Sequence, residues 1–139
     1  MATPAAPAET ILVVDDEPEV LSLVGETLGV AGYTVLSTGD PREALRFART
    51  RTAPIHLLLT DVVMPLMSGR QLSEELRIIR PDVKILFMSA YSVDTVEAYS
   101  IRLNPGEPFL AKPFTVAEIL RTVRAALAYH APVPRSRRP

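Results

Sequence analysis

The chain contains no cysteine, which excludes disulfides, thiolate metal sites and cysteine nucleophiles and fits a reducing compartment. No apolar run approaches the roughly 18 residues that a membrane-spanning helix needs. Met1 to Glu9 has neither positive charge nor an apolar stretch and does not read as a signal peptide; a cytoplasmic protein with no membrane contact is the expectation. Bases are missing from the start: no Lys or Arg precedes Arg42, whereas Glu9, Asp15, Asp16, Glu17, Glu19, Glu26 and Asp40 do. Acids are missing from the end: none follows Glu118, but Arg121, Arg124, Arg135, Arg137 and Arg138 do. That basic tail has no aromatic interleaving and no folded reader behind it, so direct DNA binding is not expected. Lysine is scarce, with only Lys84 and Lys112.

What remains is 139 residues, 47% hydrophobic and 22% charged, enough for one soluble domain with a real core. Residues 1–8 are Ala/Pro-rich and 130–139 Pro/Arg-rich, so both ends are expected to be disordered around a domain at 9–129. Between them strand and helix signals alternate. Ile11-Leu12-Val13-Val14 is a continuous β-branched-rich run, as a strand covered on both faces would be. Pro18 fits a first helical turn preceded by acids, and Val20, Leu21, Val24, Leu28 and Val30 follow at helical spacing until Gly32. Tyr33 to Ser37 reads as a second strand. Asp40-Pro41 caps a helix with Ala44, Leu45 and Ala48 on one face. Ile55 to Thr60 is the third strand, Gln71 to Ile79 a helix, Val83 to Met88 the fourth strand, Val93 to Ile101 a helix, Pro108 to Ala111 the fifth strand and Val116 to Ala128 the last helix. Five strands alternating with five helices predict an α/β fold, a doubly wound parallel sheet with helices on both faces. The flavodoxin-like order 2-1-3-4-5 is one common solution.

Open α/β sheets bind ligands beyond the carboxyl ends of their strands, where the strand order reverses. Asp15 and Asp16 follow the first strand, Asp61 the third, Ser89 the fourth and Lys112 the fifth. In the order 2-1-3-4-5 the first and third strands are neighbours, so the three carboxylates converge. Gathered carboxylates repel one another, and a hard cation relieves that conflict. Mg²⁺ suits such a site, because it takes oxygen ligands and keeps waters or phosphate oxygens in its other positions. Carboxylate, cation, Lys and Ser together are the parts needed for phosphoryl transfer. Singly, each Asp could be a turn former and Ser89 a cap; the joint placement at four strand ends carries the reading.

These residues resemble the receiver (response regulator) family of two-component signalling systems. ILVVDDEP at Ile11–Pro18 is similar to its acidic-pair motif, LLLTDVVMPLMSG at Leu57–Gly69 to its phosphoacceptor segment, FMSAY at Phe87–Tyr91 to its switch segment and FLAKPF at Phe109–Phe114 to its Lys-Pro segment. The resemblance implies Asp61 as phosphoacceptor; Asp16, Asp61 and the Val63 backbone carbonyl as direct Mg²⁺ ligands; and Asp15 acting mainly through water. It also implies Lys112 as partner of the phosphoryl oxygens, Ser89 and Phe109 as the switch pair, and a cis Lys112–Pro113 bond. The donor would be a histidine kinase or histidine phosphotransfer protein. The switch surface would be the side of the fourth and fifth strands, including 93–101. Val63 and Tyr91 would flank the attacking water; neither can orient it, which predicts a long-lived phosphorylated state.

One stretch departs from the family. Where many receivers have Gly-Ala before the fifth strand, this chain has Leu103-Asn104-Pro105-Gly106-Glu107-Pro108, similar to receivers of hybrid histidine kinases. A phosphorylation-independent scaffold is the alternative, but every Asp and the Lys are present. A dehalogenase-like phosphatase needs an acid two residues after its nucleophile, and Asp61-Val62-Val63 lacks it. A flavin-binding flavodoxin needs a phosphate loop that Asp15-Asp16-Glu17 would oppose. The implied role is a regulatory phosphoacceptor, not an enzyme acting on a separate substrate.

Overall fold

The computed structural model describes residues 8–90 and 101–130. The strands are β1 (Thr10–Val14), β2 (Thr34–Thr38), β3 (Leu57–Asp61), β4 (Lys84–Ser89) and β5 (Leu110–Ala111); the helices are α1 (Pro18–Val30), α2 (Pro41–Thr50), α3 (Gly69–Ile79) and α4 (Val116–Ala128). All strand pairs are parallel and the order is β2-β1-β3-β4-β5, as expected. The expected tails and the helix over 93–101 lie outside the described residues, except for residues 8, 101 and 130.

Alternation along β1 shows why its run is apolar throughout. Ile11 and Val13 pack with Val24 and Leu28 of α1 and Ile119 and Val123 of α4. Leu12 and Val14 pack on the other face with Ala44 and Leu45 of α2 and Leu72 and Leu76 of α3. Successive side chains of a strand point to opposite faces, so a strand covered on both sides must be apolar at every position. Each such fully buried side chain contributes roughly 1.5–3 kcal/mol.

The helix starts are set locally. The Asp40 carboxylate accepts from Arg42 N. Ser68 with Gln71 and Thr115 with Glu118 form reciprocal capping boxes on α3 and α4. The Ser68 cap begins α3 two residues before the expected Gln71. The end of α4 is held from elsewhere: it has no base in its last turn, and Lys84 Nζ donates to the carbonyls of Leu127 (2.7 Å) and Tyr129 (2.9 Å).

The strands β2, β3 and β4 each end one residue later than the apolar runs imply. The ladder reads the backbone, so Asp61 pairs with Met88, and Ser89 with Ala111, despite their polar side chains. Conversely, β5 has two residues where four were expected. Pro108 has no N–H to donate, and Asn104 and Glu107 close a turn just before it, with Glu107 N donating to Asn104 O at 2.9 Å.

Candidate functional site

The site lies at the carboxyl ends of four strands. Val14 is in register with Thr60, which sets Asp15 beside Asp61. Val62 N donates to Met88 O (3.1 Å) and Lys112 N to Ser89 O (2.8 Å), so the backbone carries the same line across β4 to the end of β5. Asp15 is wholly buried, Asp61 is 8% exposed and Ser89 1%; Asp16 is exposed. The carboxylates of Asp15, Asp16 and Asp61 each offer an oxygen, all within 4.8 Å of one another. Lys112 Nζ faces them, 2.7 Å from Asp15 Oδ2, 3.1 Å from Glu17 Oε1 and 3.6 Å from Asp61 Oδ2.

Local structure holds Asp61 firmly. Its Oδ1 accepts from Val62 N at 2.9 Å, and its carbonyl accepts from the Thr60 hydroxyl at 3.0 Å. Gly69, the first residue of α3, donates its N–H to Val62 O at 2.9 Å. A Cβ on Gly69 would overlap the Asp61 carbonyl oxygen, so only glycine allows α3 to begin this close to β3. Between them the chain turns at exposed Leu66, whose φ of 76° is unfavourable for an L-residue by roughly 1–2 kcal/mol.

The sequence pattern of the response regulator receiver domain matches residues 11–124. This chain belongs to the response regulator receiver family. The receiver is 34% identical over 126 residues to sensor kinase CckA of Brucella abortus, a match spanning 91% of this chain and 13% of that protein. It is 36% identical over 118 residues to transcriptional regulatory protein PrrA of Mycobacterium tuberculosis, spanning 84% and 49%. The chain thus covers half or less of the length of these curated relatives. A crystal structure of the receiver domain from the hybrid histidine kinase CckA has 31% identity and a TM-score of 0.70, covering 85% of this chain and 98% of that one. The likeness to hybrid-kinase receivers expected from the sequence is borne out.

The electrostatics of this receiver site are unbalanced. Asp61 is pushed up to about 6, first by burial and then by the Asp15 charge; Lys112 and the Val62 N–H pull it down without winning, and Asp16 adds to the rise. Burial would lower Lys112, but its hydrogen bond to Asp15 and the charges of Asp61 and Asp15 outweigh that and hold it above its ordinary value. Three carboxylates against one ammonium is a donor set suited to a hard divalent cation with oxygen ligands.

Of the residues singled out in the sequence, Asp15, Asp16, Asp61 and Lys112 come together. Ser89 lies buried at the end of β4. Val63 is half-buried in the loop after β3 and, like Phe109, packs against the cluster of Val62, Phe87 and Ile101. Tyr91 lies outside the described residues. The Lys112–Pro113 bond is cis, as expected. Two contributors were not anticipated. One is the Gly69 approach to Asp61, foreshadowed only by a Gly closing the phosphoacceptor-like segment. The other is the Glu17–Lys112 contact, whose one signal was a third acid after Asp15-Asp16. Among the described residues no helix is long and apolar enough to cross a membrane.

Proposed function

We propose that this receiver accepts a phosphoryl group on Asp61 from a phosphohistidine of a histidine kinase or histidine phosphotransfer protein. The observation that carries the reading is three carboxylate oxygens within 4.8 Å of one another, facing a half-buried lysine 3.6 Å from Asp61. Asp16, Asp61 and the Val63 carbonyl are the direct ligands we assign to Mg²⁺, with Asp15 acting through water. Once bound, Mg²⁺ supplies positive charge to offset the acids and the incoming phosphoryl oxygens.

The chain's own residues do the rest. An Asp61 carboxylate oxygen attacks phosphorus; the O–P bond forms as the P–N bond to the donor imidazole breaks, and the freed imidazole nitrogen takes up a proton. The hydrogen bond from Val62 N to Oδ1 orients the carboxylate. Lys112 is placed to donate to the equatorial oxygens. Asp15 has both oxygens engaged, by Glu17 N at 2.8 Å and by Lys112, which fits an indirect role at the metal. We assign Ser89 and Phe109 to the switch, acting on protein contacts along β4, β5 and residues 93–101. Protein rather than DNA contact is the output we infer.

The test is incubation with acetyl phosphate and Mg²⁺ followed by mass spectrometry. Wild type gains one phosphoryl mass and Asp61→Asn does not; no gain in wild type, or an equal gain in the variant, refutes the assignment. In a Mg²⁺ titration, Asp16→Ala abolishes binding and Asp15→Ala weakens it. Beryllofluoride should shift amide resonances at Ser89, Phe109 and 93–101; changes confined to α1 would refute the switch surface.

A further inference from the structure

The residue whose chemistry is left over at this site is Glu17. It occupies the N-cap position of α1, yet its side chain makes no capping bond. The carboxylate instead turns to Lys112 Nζ, 3.1 Å away across 95 residues of sequence. Lys112 has three N–H donors and, among the described residues, three carboxylate neighbours: Asp15, Glu17 and Asp61. Asp15 cannot easily let go, because it is wholly buried and its other oxygen is bound to Glu17 N. Asp61 is the more distant neighbour. Glu17 is the half-exposed one, its side chain 56% accessible, and an ion pair open to solvent on one side is weak and easily exchanged.

We propose that Glu17 is a positioning residue. It clasps Lys112 while Asp61 is free, and it is the partner that Lys112 gives up when phosphoryl oxygens arrive. The inference rests on the phosphoacceptor reading of Asp61. It assigns Glu17 a cost as well as a use. The clasp keeps the ammonium at the mouth of the crevice, with the charge of Asp15 balanced. It also occupies a donor that an incoming phosphoryl group needs, and it adds a fourth negative charge to the path of an anion. Glu17 therefore sets how readily the site loads, acting through Lys112 without touching the phosphoryl group.

Because Lys84 and Lys112 are the only lysines, a spectrum of protein labelled with ¹⁵N at lysine Nζ contains two ammonium signals. Lys84 is held by two carbonyls at the opposite end of β4 from Ser89 and the site and is the internal standard. In metal-free Glu17→Gln the Lys112 signal should move and its protons should exchange several-fold faster, with Lys84 unchanged. With Mg²⁺ saturating, Glu17→Gln should bind beryllofluoride about three- to tenfold more tightly, as expected for removing one partly screened charge and one competing acceptor. Its KM for acetyl phosphate should fall with kcat little changed. Glu19→Gln, exposed on α1 and removing the same charge two residues on, should match wild type in all three measurements. An unmoved Lys112 signal in Glu17→Gln, or equal tightening in Glu19→Gln, overturns the clasp. Failure of wild type to bind beryllofluoride would instead count against the phosphoacceptor reading; the metal-free lysine signals test the clasp without any phosphoryl mimic.

Discussion

Gly69 and Asp61 meet backbone to backbone: the first residue of α3 lies so close to the last residue of β3 that a methyl group on Gly69 would overlap the Asp61 carbonyl oxygen. Gly69→Ala must therefore push α3 off the end of β3. The obstacle is backbone rather than a flexible side chain, so relaxation is costly; a loss of about 2–4 kcal/mol is expected. Urea unfolding measures it. A stability within 0.5 kcal/mol of wild type, a margin of about the ordinary surface effect, would show that the helix can shift freely.

The raised pKa of Asp61 fixes the sign of one pH effect in the metal-free protein. Its folded-state value is about 6, against an ordinary 3.8. Between those values the folded state binds more protons than the unfolded one, so this group's contribution becomes less favourable as pH rises through roughly 4 to 6. Above that range Asp61 should cost on the order of 2 kcal/mol. Asp61→Asn removes this ionisation. Its stability relative to wild type should grow across the window and level off by about pH 7. Thermal or urea melts of both proteins without divalent cation, at several pH values, read this directly. A difference independent of pH would contradict the assigned shift.

Lys84 binds the end of α4 by two carbonyls. Lys84→Met keeps most of the stem and removes the donors, leaving both carbonyls to water. A loss of about 1–3 kcal/mol is expected, with faster amide hydrogen exchange concentrated at 126–130. Unchanged exchange there would mean that packing alone holds the helix end.

On the proposed phosphoacceptor reading, Val63, two residues after Asp61, has a side chain that cannot orient a water for attack on the phosphoryl group. Val63→Asn supplies an amide there. The variant's phosphorylated form should lose phosphate several-fold faster than wild type with no phosphatase present, a change on the order of 1 kcal/mol in barrier. Decay as slow as wild type, with loading intact, would remove Val63 from the control of lifetime.

How far the sequence carried the reading can be judged residue by residue. Leu12 and Val13 announced a strand buried on both faces because both its neighbours had to be apolar, and the order of polar residues at the strand ends placed Asp15, Asp16, Asp61 and Lys112 together. Strand ends were misjudged at Asp61 and Ser89 because hydropathy tracks side chains, whereas the ladder tracks the backbone. The start of α3 was missed because Ser68-Gly69 has turn composition, although its capping box reaches forward to Gln71. No role was assigned to Lys84 from the sequence, because the carbonyls it binds lie 43 and 45 residues away. Glu17 looked like a helix-start acid, and its partner lies 95 residues on. The periodic signals are local. The contacts of Lys84 and Glu17 were missed because single long side chains make them across the fold, and the Gly69 approach because it is made by backbone alone.

The ion pair between Asp15 and Lys112 spans 97 residues, and that separation has a consequence for how the protein is born. A chain emerging from the ribosome presents its amino end first. Within the domain Asp15, Asp16 and Asp61 are made before Lys112, and Lys112, the counter-ion of the buried Asp15, is one of the last parts of the domain to be made. Contacts of this span form late and slow folding. Until β5 is in place, β4 lacks its outer neighbour and the gathered carboxylates lack their ammonium. A domain cut short before β5 therefore cannot assemble the receiver site, which is complete only when its last strand docks.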